Sequence, residues 1–377
     1  MKIKTAYFLG LAILITTCMD IVPCESQTLD FLFESGTDGY HTFRIPAIIV
    51  TPGGRVLAFA EGRRNSESDT GDIDIVMKKS DDSGNTWSDL VTIWDQPGSV
   101  CGNPAPVVDQ FTGSIFLLAT WNLDKDHESE IINQTSEDTR RIYLLCSTDD
   151  GESWSDPLEI TDAVKKDNWT WYATGPCHGI QIEKGAYAGR LVIPCDHIEA
   201  VTRKYYSHII YSDDQGKTWH PGGITPQDQV NECSVAELTG GQLVLNMRNY
   251  DRREKTRKVA ISKDGGLTWS NIYSDKALIE PVCQASLLRY SFSDQGTSRL
   301  LFSNPAHTDR RENMTLRISY DEGTTWARSM VLFDGPSAYS DLAKLPDGRI
   351  GCLYEAGYED PYQGLVFQQV TLQDIEK

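Results

Sequence analysis

Short runs of alternating hydrophobic and polar residues recur along almost the whole chain. Residues 73–77, 141–145, 207–211, 258–261 and 315–318 combine this alternation with β-branched side chains, the pattern of half-buried strands. Seven further runs, at 46–50, 56–60, 115–120, 190–194, 242–246, 299–303 and 349–354, have the same character. Gly or Asp-Gly precedes several of them, as in Gly53-Gly54-Arg55-Val56 and Asp347-Gly348-Arg349-Ile350. Helical periodicity is nearly absent, so the pattern predicts an all-β protein.

The first five strand runs each end in the same eight-residue box. It reads S-x-D-x-G-x-[T/S]-W and starts at Ser80, Ser147, Ser212, Ser262 and Ser319, with spacings of 67, 65, 50 and 57 residues. A repeat of that period signals one supersecondary unit per copy. The chemistry is that of a turn. An Asp carboxylate accepts hydrogen bonds from backbone ahead of it, Gly permits positive φ, and Trp buries a large face against neighbouring structure. Each box is therefore expected to cap a β-hairpin. Six units of this spacing fill the chain after residue 27, one of them without a box, and no Pro-, Ser- or Gly-rich linker divides them. The expectation is one domain, residues 28–377, folded as a six-bladed β-propeller of four-stranded antiparallel blades.

Residues 1–27 read as an export signal: two lysines by position 4, then an apolar run too short for a lasting membrane anchor. Leu14-Ile15-Thr16-Thr17-Cys18 resembles a lipoprotein signal, and cleavage before about Thr28 is the competing reading. The protein is thus expected outside the cytoplasm, as a periplasmic, secreted or lipid-anchored species. No later segment is apolar enough for a transmembrane helix. The net charge of −19 argues against a nucleic-acid binder. Seven cysteines follow Cys24 and no CxxC occurs, so neither a zinc nor a redox signature is present. A Cys177–Cys195 bridge is left open.

Repeated residues make scaffold, so chemistry is sought in what occurs once. Four segments qualify. Phe43-Arg44-Ile45-Pro46 places an arginine at a strand entrance. Glu61-Gly62-Arg63-Arg64 leads into a polar loop containing Asp69 and Asp72. Asn231-Glu232-Cys233-Ser234 precedes a strand ending Met247-Arg248-Asn249. Arg310-Arg311-Glu312-Asn313 is followed by Ala338-Tyr339-Ser340-Asp341 and Tyr354-Glu355.

With these residues in phase with the boxes, the chain resembles the bacterial and animal sialidases, or neuraminidases, of the Asp-box, Phe-Arg-Ile-Pro type. The resemblance runs from about residue 31 to 370. It implies an exo-α-sialidase that removes terminal sialic acids from glycoproteins, glycolipids or oligosaccharides, acting as a monomer with no metal or cofactor. The substrate carries a carboxylate on its anomeric carbon, and planar guanidinium forks suit that group. The resemblance assigns this clamp to Arg44, Arg248 and Arg311. Arg311 is preferred to Arg310 because Arg311, Thr315 and Arg317 fit the family's R-x-x-x-T-x-R spacing.

A carboxylate nucleophile would be repelled by that anomeric carboxylate, whereas sialidases use a tyrosine. The resemblance makes Tyr339 the nucleophile, Glu232 its base with the arginines favouring the phenolate, and Asp69 the acid/base, with Asp72 as its rival. It makes Glu355 the carboxylate that holds Arg44, and places Glu61 and Arg63 in the pocket wall. Asn103, in Gly102-Asn103-Pro104, either faces the ligand or makes a turn. Transfer of the sialyl group to a sugar or to its own hydroxyl would use the same residues. A non-catalytic lectin would be expected to lack Asp69, Glu232 or Tyr339, and all three are present.

Overall fold

The computed structural model of the chain describes residues 28–377, and the expected export signal lies outside them. The described residues form an all-β fold. Strand β1 (Phe31–Glu34) stands apart from the next group in sequence. Strands β2 (Thr42–Val50), β3 (Val56–Arg63), β4 (Ile73–Ser80) and β5 (Val91–Trp94) then pair in succession, all antiparallel. So do β6 (Ser99–Val108), β7 (Ile115–Leu123), β8 (Arg141–Ser147) and β9 (Leu158–Glu159). In the third group β10 (Trp169–Thr174) and the two-residue β11 (Ile180–Gln181) both pair with β12 (Leu191–Glu199), which continues to β13 (Tyr205–Ser212) and β14 (His220–Ile224).

The fourth group is β15 (Val230–Glu237), β16 (Leu243–Asn249), β17 (Thr256–Ser262) and β18 (Tyr273–Ile279). The fifth is β19 (Ser286–Ser291), β20 (Arg299–Pro305), β21 (Glu312–Ser319) and the first half of the 17-residue β22 (Arg328–Lys344). From Ser337 onward β22 pairs instead with β23 (Ile350–Ala356), which pairs with β24 (Gly364–Val370). The last group is completed by β1, whose Phe33 lies opposite Leu365.

Each box joins the third strand of its group to the fourth, and its hydrogen bonds follow the expected turn. Asp82 Oδ1 accepts from the Thr86 amide at 2.8 Å and Oδ2 from the Thr86 hydroxyl at 2.7 Å. Ser80 Oγ donates to Asp82 and accepts from the Gly84 amide, both at 2.8 Å. The same bonds recur at Asp149, Asp214, Asp264 and Asp321. The box Trp reaches back to the preceding group. Trp87 packs on Phe367, Trp154 on Phe59 and Trp219 on Phe116, while Trp269 Nε1 donates to Gly223 O and Trp326 Nε1 to Asp275. Gly216 shows why glycine is needed: its φ is +79°, and a Cβ there would stand 2.2 Å from the Phe116 ring. The last group has no box because its third strand is followed by the helix Leu372–Glu376, while its fourth strand comes from the opposite end of the described chain.

Successive groups bury apolar clusters between them. One cluster joins Ala47, Leu57 and Phe59 to Leu117, and another joins Leu118 to Leu191 and Ile193. A further cluster sets Phe33, Leu353 and Leu365 of the last group against Ile48 and Val56 of the first. The buried Asp341 on β22 links three other strand groups. It accepts from the Ile48 amide at 2.9 Å, the His178 amide at 3.0 Å and Ser286 Oγ at 2.7 Å. The seven described cysteines are free, so the Cys177–Cys195 bridge does not form; Cys177 and Cys195 are buried thiols.

Candidate functional site

The pocket is built where first strands leave their regular pairing. β2 has a register shift between Arg44 and Ala47, and Ile45 there takes φ +57°. β6 repeats the device between Gly102 and Ala105, with Asn103 at φ +52°. A β-branched residue at positive φ is strained, so something must hold it. Glu355 does: its Oε1 accepts from the Ile45 amide at 3.0 Å, and its Oε2 from the Tyr339 amide at 3.0 Å. The same fully buried carboxylate grips Arg44, taking Nε at 3.0 Å and Nη2 at 3.3 Å. One side chain thus orients both an arginine and a tyrosine backbone.

The third and fourth segments meet the first here. Tyr339, on the second half of β22, donates its hydroxyl to Glu232 Oε1 at 2.6 Å. Arg248 on β16 bridges the pair, with Nη1 at 2.5 Å from Glu232 Oε2 and 2.9 Å from the Tyr339 hydroxyl. Arg311 lies over the Tyr339 ring, 5.5 Å from its centroid, and donates to Tyr362 at 2.8 Å. Its rival Arg310 turns outward into a two-pronged pair with Glu312 at 2.8 and 2.6 Å. Arg44, Arg248 and Arg311 therefore converge on one tyrosine.

Asp69 sits on the loop between β3 and β4. Its Oδ1 is 2.7 Å from Arg63 Nη2 and 3.5 Å from Arg44 Nη1, although its side chain is 65% exposed. Asp72 and Asp74 fall elsewhere, around Arg64, with Asp74 buried and bonded to the Tyr40 hydroxyl at 2.6 Å. Glu61 holds Arg63 at 2.7 Å and takes the Asn103 amide at 2.8 Å. Asn103 is both a left-handed bulge residue and a pocket residue; its Oδ1 accepts from Thr120 at 3.0 Å and from Arg140.

These residues line a pocket of about 170 Å³ whose wall is largely polar. Several members carried no motif in the sequence. Arg140 is buried and lies over Trp171, 4.0 Å from ring centroid to guanidinium carbon. Glu128 arrives on the short helix Glu128–Asn133, and Asp196, Asn231 and Tyr250 complete the side nearest Glu232. Two of them left a trace: Asn231 in the segment Asn231-Glu232-Cys233-Ser234, and Asp196 as an acid directly after the apolar run Leu191-Val192-Ile193-Pro194-Cys195.

The electrostatics divide the acids and the tyrosine. Burial foremost, then Glu232, push the Tyr339 phenol well above the usual tyrosine range, against the pull of Arg248 and Arg311. The arginines were expected to favour the phenolate; in the free site they do not prevail, because the phenol is desolvated and faces an acceptor anion. For Asp69, the surrounding protein desolvates the carboxyl and raises it even though the side chain keeps 65% of its surface exposed, but Arg63 and then Arg44 lower it, and the net effect holds Asp69 below the ordinary carboxylate value.

The sequence and fold match known proteins. The chain matches the BNR repeat-like domain over residues 54–352, so it is a protein of that repeat class. A sialidase of Bacteroides fragilis (strain YCH46) is 35% identical over 363 residues, covering 91% of this chain and 64% of that one. An exo-alpha-sialidase of Arthroderma benhamiae is 33% identical over 348 residues, covering 85% of this chain and 80% of that one. Among solved structures, Hadza microbial sialidase Hz136 superposes with a TM-score of 0.83 at 32% identity, over 93% of this chain and 69% of that one. The chain belongs to the sialidase family. It spans less than two-thirds of the B. fragilis relative, 64% of its length.

Proposed function

We propose that this chain is a retaining exo-α-sialidase, and that residues 28–377 form a single catalytic six-bladed propeller. The observation that carries the function is the Tyr339–Glu232 hydrogen bond of 2.6 Å, bridged by Arg248 and set beside Arg44 and Arg311. That combination suits a sugar whose anomeric carbon bears its own carboxylate. Support for the propeller comes from the ring of apolar clusters, in which the last strand group packs on the first.

In this reading Arg44, Arg248 and Arg311 clamp the carboxylate. Tyr339 attacks the anomeric carbon as Glu232 takes its proton, and Asp69 gives a proton to the departing glycan oxygen. The C–O bond to the glycan breaks and a sialyl-tyrosine forms. Asp69, now ionised, takes a proton from water as that water attacks the same carbon; Glu232 returns its proton to Tyr339, and sialic acid leaves. Asp69 begins with the wrong bias for an acid, since Arg63 and Arg44 favour its ionised form. Substrate binding corrects this, because the incoming carboxylate engages Arg44 and weakens that bias.

The test is hydrolysis of a fluorogenic α-sialoside by purified protein, with free sialic acid identified as product. Tyr339→Phe is expected to lower kcat by about 10²-fold or more, the scale of losing a positioned catalytic group. Activity within a few-fold of the parent would sink the nucleophile assignment.

A further inference from the structure

We infer that Glu280, a fully buried carboxylate, is a positioning residue for Arg311 and for the end of β16 that carries Arg248, a reading that rests on the proposed sialidase activity. The arginines of the proposed clamp are not held alike. Arg44 pairs with Glu355, and Arg248 with Glu232. Arg311 pairs with no carboxylate among the described residues. Its acceptors are neutral: the Tyr362 hydroxyl at 2.8 Å and the Val282 carbonyl at 3.2 Å. A guanidinium held this way keeps its charge for an incoming carboxylate, but its direction is only as fixed as those two oxygens.

Val282 itself needs holding. It lies between β18 and β19 in the left-handed region, at φ +60°, where a β-branched residue is strained. The residue after it is fixed at both ends. Glu280 Oε2 accepts from the Cys283 amide at 3.0 Å, and Arg257 Nη1 on β17 donates to the Cys283 carbonyl at 2.5 Å. Glu280 and Arg257 are both fully buried and face each other at 3.4 Å. The other oxygen of Glu280 accepts from the Asn249 amide at 3.2 Å, which fixes the peptide group directly after Arg248. The arrangement repeats the device at Glu355, which holds the left-handed Ile45 and an arginine together.

Charge ties the pair together. Burial depresses the Arg257 guanidinium below the ordinary arginine value, and Glu280 is the largest opposing influence. Arg248 also repels Arg257, so the Glu280 anion lets two arginines stand close together beside the pocket.

The experiment is titration calorimetry of the whole protein with an unsaturated, unhydrolysable sialic acid analogue and with its carboxyl methyl ester. The acid is expected to bind the parent about 10²-fold more tightly than the ester, the scale of one or two charge-assisted hydrogen bonds. Glu280→Gln should lower that ratio about tenfold by weakening the acid, leaving the ester within a few-fold of the parent. Glu237→Gln is the matched control. Glu237 is also buried and also accepts two amides, from Glu183 and Lys184, but at the opposite end of β15 from Glu232. Its variant should keep the parent's ratio. An unchanged ratio in folded Glu280→Gln overturns the inference, as does equal weakening of acid and ester or a similar fall in Glu237→Gln. If Glu280→Gln fails to fold, the same ratio in the double variant Glu280→Gln, Arg257→Met decides, because replacing both members of a buried pair leaves no lone charge. A parent that binds acid and ester alike overturns the sialidase reading and this inference with it, whereas an acid-preferring parent matched by its Glu280→Gln variant overturns this inference alone.

Discussion

Glu355 accepts four hydrogen bonds, all within the site: two from Arg44, one from the Ile45 amide and one from the Tyr339 amide. Glu355→Gln keeps the shape but removes the charge and turns an N–H group toward other donors. Removing one partner of a buried ion pair costs about 3–5 kcal/mol, so a denaturant melt should fall by that order. Misplacing the clamp should also lower kcat/KM about 10²-fold, read by Michaelis kinetics. Asp69 supports a second expectation. The pH profile of kcat/KM reports the free enzyme, where Arg63 and Arg44 hold Asp69 low, and that of kcat reports the complex, where in the proposed mechanism the substrate engages Arg44. The alkaline limb of kcat should therefore lie at higher pH than that of kcat/KM. Coincident limbs in a full pH series would refute this account of the acid.

At the scale of the element, the box is a self-contained turn whose Asp is ionised by design. Thr86 backbone and hydroxyl bonds hold Asp82 at about 2, and Ser153 does the same for Asp149, again at about 2. An unfolded Asp titrates near about 3.9. The sign follows: this contribution is complete above the unfolded value and is lost as pH falls toward the folded one. Asp149→Asn should melt below the parent at neutral pH, and the gap should shrink as pH drops from about 4 to about 2. A gap independent of pH in calorimetry would show that the turn does not depend on the ionised Asp. The boxes were legible in the sequence because the turn bonds of their Ser and Asp side chains are local, spanning no more than four residues. The bulges at Ile45 and Asn103 were only half legible: each is followed by a proline, but the left-handed φ depends on partners far along the chain, such as Glu355 for Ile45.

For the whole molecule, the pairing of β1 with β24 joins the last strand group to an N-terminal strand. Phe33 is its buried anchor, packed with Phe43, Leu353 and Leu365. Phe33→Ala should cost about 3–5 kcal/mol in chemical denaturation, with the boxes untouched. A loss below about 1 kcal/mol would mean that the closure adds little to global stability. This closure also explains why five boxes serve six strand groups: the turn that would carry the sixth is replaced by a junction between distant segments.

By itself, the chain's pattern determined the strands, the repeat and the turn chemistry, because alternation and box bonds are local. Through the family resemblance, it also singled out Arg44, Asp69, Glu232, Arg248, Arg311, Tyr339 and Glu355. Only the tertiary structure decided which charges would meet. Arg311 enters the pocket and Arg310 leaves it, Asp69 pairs with Arg63 and Arg44 while Asp72 stays with Arg64, and Tyr339 is held protonated by burial beside Glu232. That the Asp196 carboxyl would stand buried and unpaired in the pocket wall was illegible for the same reason. Desolvation and charge pairing depend on distances between residues remote in sequence, and those distances exist only once the strand groups have packed.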